Sequence, residues 1–74
     1  MPLNPFPYRE VKRRLEAAGF AEASQKGSHV KFIKVTILGT YTAIVPKKNK
    51  DVPVGTIRSI ISQAEITPEE WDNL

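Results

Sequence analysis

The chain has 74 residues, with 11 Lys or Arg against eight Asp or Glu, one histidine and no cysteine. That length suits one small domain whose core supplies only about 3–5 kcal/mol. The missing cysteines exclude disulfides and a cysteine-ligated zinc, and they fit a reducing, cytoplasmic setting.

Residues 1–7 contain Pro2, Pro5 and Pro7. Proline lacks an amide donor and fixes φ, so an extended N-terminal arm is expected there. The arm has neither a basic n-region nor an apolar h-region, so no signal peptide is expected. No apolar run approaches the length of a membrane span. From Tyr8, apolar residues recur at helical spacing through Val11, Leu15 and Ala18, with charged residues on the other faces. Pro7 suits the first turn of this helix and Gly19 its left-handed end.

Phe20 to Gln25 alternates weakly as a first strand, and Lys26-Gly27-Ser28 reads as a tight connection. His29 to Leu38 is rich in β-branched and aromatic residues and reads as a second strand. A turn is expected at Gly39-Thr40, then a third strand over Tyr41 to Val45 ended by Pro46. Links this short can only join antiparallel neighbours. Lys47-Lys48-Asn49-Lys50-Asp51 is a basic loop. Asp51 is placed to cap a second helix, with Pro53 in its first turn and Val54, Ile57, Ile60, Ile61 and Ala64 as its apolar stripe. Thr67-Pro68-Glu69-Glu70 carries the pattern of a capping box and starts a short third helix bearing Trp71 and Leu74. The order is α-β-β-β-α plus a short C-terminal helix. That is an α+β two-layer fold with an antiparallel three-stranded sheet, in a single domain over residues 1–74.

Charge is uneven along this frame. Residues 65–74 hold four acids and no base, so the other 64 residues hold all 11 Lys and Arg against four acids, a net +7. A basic body of this kind suits a polyanion, although solubilising charge is an ordinary alternative. His29 is the one side chain whose unperturbed pKa, about 6.5 for its type, allows proton transfer near neutral pH. It sits beside the glycine turn and just after Lys26. No cluster with metal-ligand spacing accompanies it, and no cofactor is expected.

Several segments in order resemble one family. They are Ala18-Gly19-Phe20, Lys26-Gly27-Ser28-His29, Ile44-Val45-Pro46, Gly55-Thr56-Ile57-Arg58-Ser59-Ile60-Ile61, and Ile66-Thr67-Pro68-Glu69-Glu70-Trp71. In order and spacing the chain resembles the HicA (YcfA-like) mRNA interferase toxins of bacterial toxin–antitoxin modules. The resemblance implies a fold similar to the double-stranded RNA-binding domain, an endoribonuclease acting on mRNA, and a HicB-type antitoxin as protein partner. It places His29 at the family's catalytic histidine. Many members carry a second histidine in a Pro-x-His pattern after the third strand. Here Pro46-Lys47-Lys48 puts Lys48 at that position.

On this reading His29 serves as the base for the substrate's 2′-hydroxyl, without a metal, while Lys26 and Lys48 stabilise charge developing on the phosphate. Gly27 allows the backbone to turn and approach RNA closely, and Ser28 offers a hydroxyl to a phosphate or to His29. Both also have plainer roles as turn residues. Lys47 and Lys50 extend the basic loop, and Arg58 lies near the start of the second helix, where the dipole favours anions. Arg13, in the basic run of the first helix, is a further RNA-binding candidate, or part of a solvated face. Tyr41 and Phe32 are expected to pack the sheet. A non-catalytic RNA-binding domain and a protein-interaction module remain as alternatives. The oligomeric state is left open, a monomeric free form included.

Overall fold

A computed structural model describes residues 4–74; Met1, Pro2 and Leu3 of the expected arm lie outside the described residues. Helix α1 spans Tyr8–Ala17, strands β1, β2 and β3 span Ala21–Lys26, His29–Thr36 and Gly39–Pro46, and helices α2 and α3 span Val54–Gln63 and Pro68–Asp72. The strands lie in the order β1-β2-β3 with both pairings antiparallel, so the expected α+β architecture is the observed one. No described helix is long and apolar enough to cross a membrane.

The helices cover one face of the sheet. Val11 and Leu15 of α1, and Ile57, Ile60 and Ile61 of α2, are buried with Val30, Phe32, Ala43 and Val45 of the sheet. Val30 and Phe32 alternate with exposed His29 and Lys31, which places His29 and Lys31 on the open face. Phe32 and Tyr41 pack as expected, the first fully buried and the second against the core. β1 is exposed along its whole length, and a bulge between Glu22 and Ser24 shifts its register against β2.

Both long helices end in Schellman motifs. After α1, the Phe20 amide donates to the Leu15 carbonyl (2.9 Å) and the Gly19 amide to the Glu16 carbonyl (3.0 Å), with Gly19 at φ +101°. After α2, the Ile66 amide donates to Ile61 (2.8 Å) and the Glu65 amide to Ser62 (3.2 Å). There the left-handed position is held by Glu65, φ +56°, a residue that gives no such signal in the sequence. At α3 the expected capping box is present: Thr67 Oγ1 accepts from the Glu70 amide (3.1 Å) and Glu70 Oε1 from the Thr67 amide (2.9 Å).

Four local expectations are corrected. Asp51 does not cap α2: Pro53 is the N-cap residue and no side chain bonds the helix amides. Pro7 likewise stands outside the first turn of α1, at its extended N-cap. The β2–β3 turn falls at Ile37-Leu38 rather than Gly39-Thr40, because Thr36 Oγ1 accepts from the Leu38 amide (3.1 Å) and donates to the Gly39 carbonyl (3.2 Å), closing the hairpin earlier. β1 begins at Ala21, since Phe20 turns into the core. The described end of the arm is anchored: Phe6 and Val52 exchange backbone hydrogen bonds of 3.2 and 2.6 Å.

Candidate functional site

The site grows from the β1–β2 hairpin. Gly27 has φ +60°, the left-handed conformation that lets the chain reverse in two residues between Lys26 and His29. Gln25 Nε2 donates to the Gly27 carbonyl (3.0 Å) and steadies the loop. The Ser28 carbonyl accepts from the Lys47 amide at 2.6 Å. That bond ties the glycine turn to the start of the basic loop, 19 residues on in sequence.

Register then aligns the candidates. His29 pairs with Lys26 on one side and with Pro46 on the other, so all three sit in one row across the end of the sheet. Lys48 is two residues beyond His29's partner. His29 is exposed, and its ring has no protein hydrogen-bond partner among the described residues. The imidazole is thus open to a ligand from solvent, with no carboxylate behind it to fix its tautomer.

The loop lysines have different neighbours. Lys47 turns toward the helix layer, where its ammonium lies 5.5 Å from the Tyr8 ring centre. Burial, followed by repulsion from Glu22, pushes the Tyr8 phenol above its ordinary range. Lys48 and Lys50 line a depression of about 220 Å³ with Asp51, Val52, Pro53 and Thr56. It lies where the β3–α2 loop meets the start of α2, and its lining carries two lysines against one aspartate.

The other two candidates stand apart from this group. Arg58 is exposed on α2 and does not line the depression. Arg13 is engaged within the fold: it grips Glu10 through bonds of 2.6 and 3.0 Å, and its Nη2 donates to the Leu74 carbonyl (3.2 Å). Its neighbours are similarly occupied, Lys12 by Glu22 (3.3 Å) and Arg14 by Glu10 (2.8 Å). The basic run of α1 therefore serves largely to tie the helix to β1 and α3. Sequence reading passed over Lys31, which shares the open face with His29 and forms no ion pair among the described residues. Its one signal is the two-residue spacing from His29, which gains meaning only when the buried face of β2 is known.

Arranged this way, the hairpin end of the sheet offers one imidazole, backbone amides at a glycine turn and several cations. Such a set can take a proton and hold a phosphate. Among the described residues, no three His, Asp or Glu side chains are placed to hold a metal ion. No curated protein matches the chain. A family model described as the HicA toxin of bacterial toxin–antitoxin matches residues 8–66, a span that runs from the start of α1 past the end of α2. Since that span includes the glycine hairpin, His29, the basic loop and both long helices, the chain belongs to the HicA toxin family of bacterial toxin–antitoxin systems.

Proposed function

We propose that this toxin is an endoribonuclease that cleaves mRNA and so inhibits translation, with His29 as the catalytic base. The observation that carries the reading is the row Lys26–His29–Pro46, with Lys48 two residues beyond it. In the reaction a ring nitrogen of His29 takes the proton from a ribose 2′-hydroxyl. The 2′-oxygen bonds to phosphorus, the P–O5′ bond breaks, and the leaving oxygen takes a proton from water or from Lys48. The products are a 2′,3′-cyclic phosphate and a 5′-hydroxyl end. The nucleophile belongs to the substrate, so no metal-bound water is needed. A positioned base of this kind is worth about 10²–10⁴-fold in rate. Lys26, Lys48 and Lys50 supply positive charge for the phosphate, and Gly27 and Ser28 offer backbone and hydroxyl at close range.

The natural partner is an antitoxin. We take it to be of HicB type and acidic where it meets the basic body, which carries a net +7 outside residues 65–74. A second reading, RNA binding without cleavage, draws on one observation: Lys48 stands where an imidazole acid would be expected, and lysine gives up its proton poorly at neutral pH.

The test is cleavage of an end-labelled RNA by pure protein in EDTA, comparing wild type with His29→Ala. Wild-type cleavage to cyclic phosphate ends, lost in the variant, is expected. Equal cleavage by both proteins removes His29 from the mechanism. Binding without cleavage by either favours the second reading.

A further inference from the structure

We infer that the RNA strand runs along β2 on the open face of the sheet, and that Lys31 binds the phosphate next to the one His29 acts on. The inference rests on the ribonuclease reading above and specifies where its substrate lies. Three observations carry it.

The first is facing. Val30 and Phe32 are buried under the helices, so His29 and Lys31 both stand on the opposite, exposed side of β2. They are two residues apart, a separation of about 7 Å along an antiparallel strand. That matches one repeat of an extended nucleotide chain, so a strand laid along β2 with one phosphate at His29 presents the next at Lys31. The second is register. Lys26 pairs with His29, and Ser24 pairs with Lys31. One cation therefore flanks His29 across the sheet and another follows it along the strand, and no acid occupies any of these four positions. The third is availability. Lys12, Arg13 and Arg14, the competing basic surface on α1, are held by Glu22 and Glu10. Lys31 forms no ion pair among the described residues.

An A-form duplex is recognised through phosphates and 2′-hydroxyls spread over a broad surface. His29 and Lys31 instead line up along a single β-strand, a row that follows one nucleotide chain. The geometry thus points to extended, single-stranded RNA as the substrate form. Lys31 acts as a positioning residue, setting which phosphodiester reaches His29.

The experiment measures affinity for an unstructured, fluorescein-labelled oligoribonucleotide by anisotropy across a salt series. All proteins carry His29→Ala so that no cleavage intervenes. Adding Lys31→Ala is expected to weaken binding and to reduce the slope of log K against log salt by about 0.7, the loss of one phosphate contact to a single strand. Lys31→Arg is expected to keep the slope, and Arg9→Ala, an exposed charge on the helix layer, to leave it unchanged. Circular dichroism melts of each variant separate lost contacts from lost fold. Binding that is intact and loses no slope with Lys31→Ala overturns the proposal alone and leaves the role of His29 standing. An equal loss from Arg9→Ala moves the RNA to the helix layer and also overturns it. Absence of RNA binding by the His29→Ala protein overturns it, and absence of binding by the wild-type protein as well overturns the ribonuclease reading with it.

Discussion

Gly27 acts on the position of His29 through its backbone conformation. A Cβ built at Gly27 meets nothing within 4 Å, yet its φ of +60° is one that L side chains rarely adopt. A side chain there is costly because of the turn and not because of its neighbours. Gly27→Ala is expected to lose about 1–2 kcal/mol in urea unfolding. Gly27→Asn should lose less, since asparagine tolerates the left-handed region. If both variants unfold at the wild-type midpoint, the turn has relaxed to another type and His29 has moved with it. This part of the site is legible from sequence, because glycine next to a polar residue between two strand-like runs has a local meaning. The Ser28–Lys47 bond is not, since its two ends are brought together only by the β2–β3 pairing. Arg13 and Arg14 show the same boundary: their carbonyl partners, Leu74 and Trp71, are 61 and 57 residues away. Read locally, those arginines look like an RNA surface. Folded, they also fasten α1 to the C-terminal segment.

At the scale of elements, local chemistry is read well where a motif is self-contained. The Thr67–Glu70 capping box involves four consecutive residues and forms as the sequence implies. The end of α2 is the contrary case, for Glu65 occupies a left-handed position that glycine would fill without strain. Glu65→Gly is therefore expected to stabilise the protein by about 1 kcal/mol, read as a higher thermal midpoint. The Schellman bonds from Glu65 and Ile66 are backbone bonds and survive the change. The attachment of α3 also has a clear centre. Trp71 is fully buried, and Arg14 donates to its carbonyl at 2.6 Å while its guanidinium lies 4.3 Å from the Phe6 ring centre and 5.3 Å from that of Trp71. One planar cation thus joins the arm, α1 and α3. Hydrogen bonds to a charged group are worth about 1.5–3 kcal/mol, so Arg14→Ala should cost that much in urea titration. Arg14→Lys should recover little of it, because an ammonium cannot both stack on the rings and hold Glu10 and Trp71 together. Full recovery by lysine would show that charge alone holds α3.

For the whole molecule, the same fasteners predict how it responds to acid. The hydrogen bonds from Arg13 and Arg14 hold the Glu10 carboxyl at about 2, well below its ordinary 4.5. The Thr67 backbone and side chain hold Glu70 below the same ordinary value. A carboxyl whose pKa is lower in the folded state binds fewer protons there than in the unfolded chain. Its contribution is then fully present above about pH 4.5 and is lost as pH falls toward 2. The loss is concentrated at one junction, since Glu10 orders the two arginines that reach the Leu74 and Trp71 carbonyls. Acid also removes the negative charge that offsets 11 Lys and Arg, so repulsion across the basic body adds to the effect. Thermal melts of wild type and Glu10→Gln at pH 7, 4 and 2 separate these causes. The variant is expected to melt below wild type at pH 7 and to converge with it by pH 2. Its midpoint should fall less steeply over that range, with the remaining slope belonging to Glu70 and to general repulsion. A gap that stays constant from pH 7 to 2 would mean that the Glu10 side chain stabilises α1 by packing, not by ionic bonds to the arginines. Added salt gives an independent reading: it should narrow the gap at pH 7, where ions screen the Glu10 pairs, and raise both midpoints at pH 2, where repulsion alone remains.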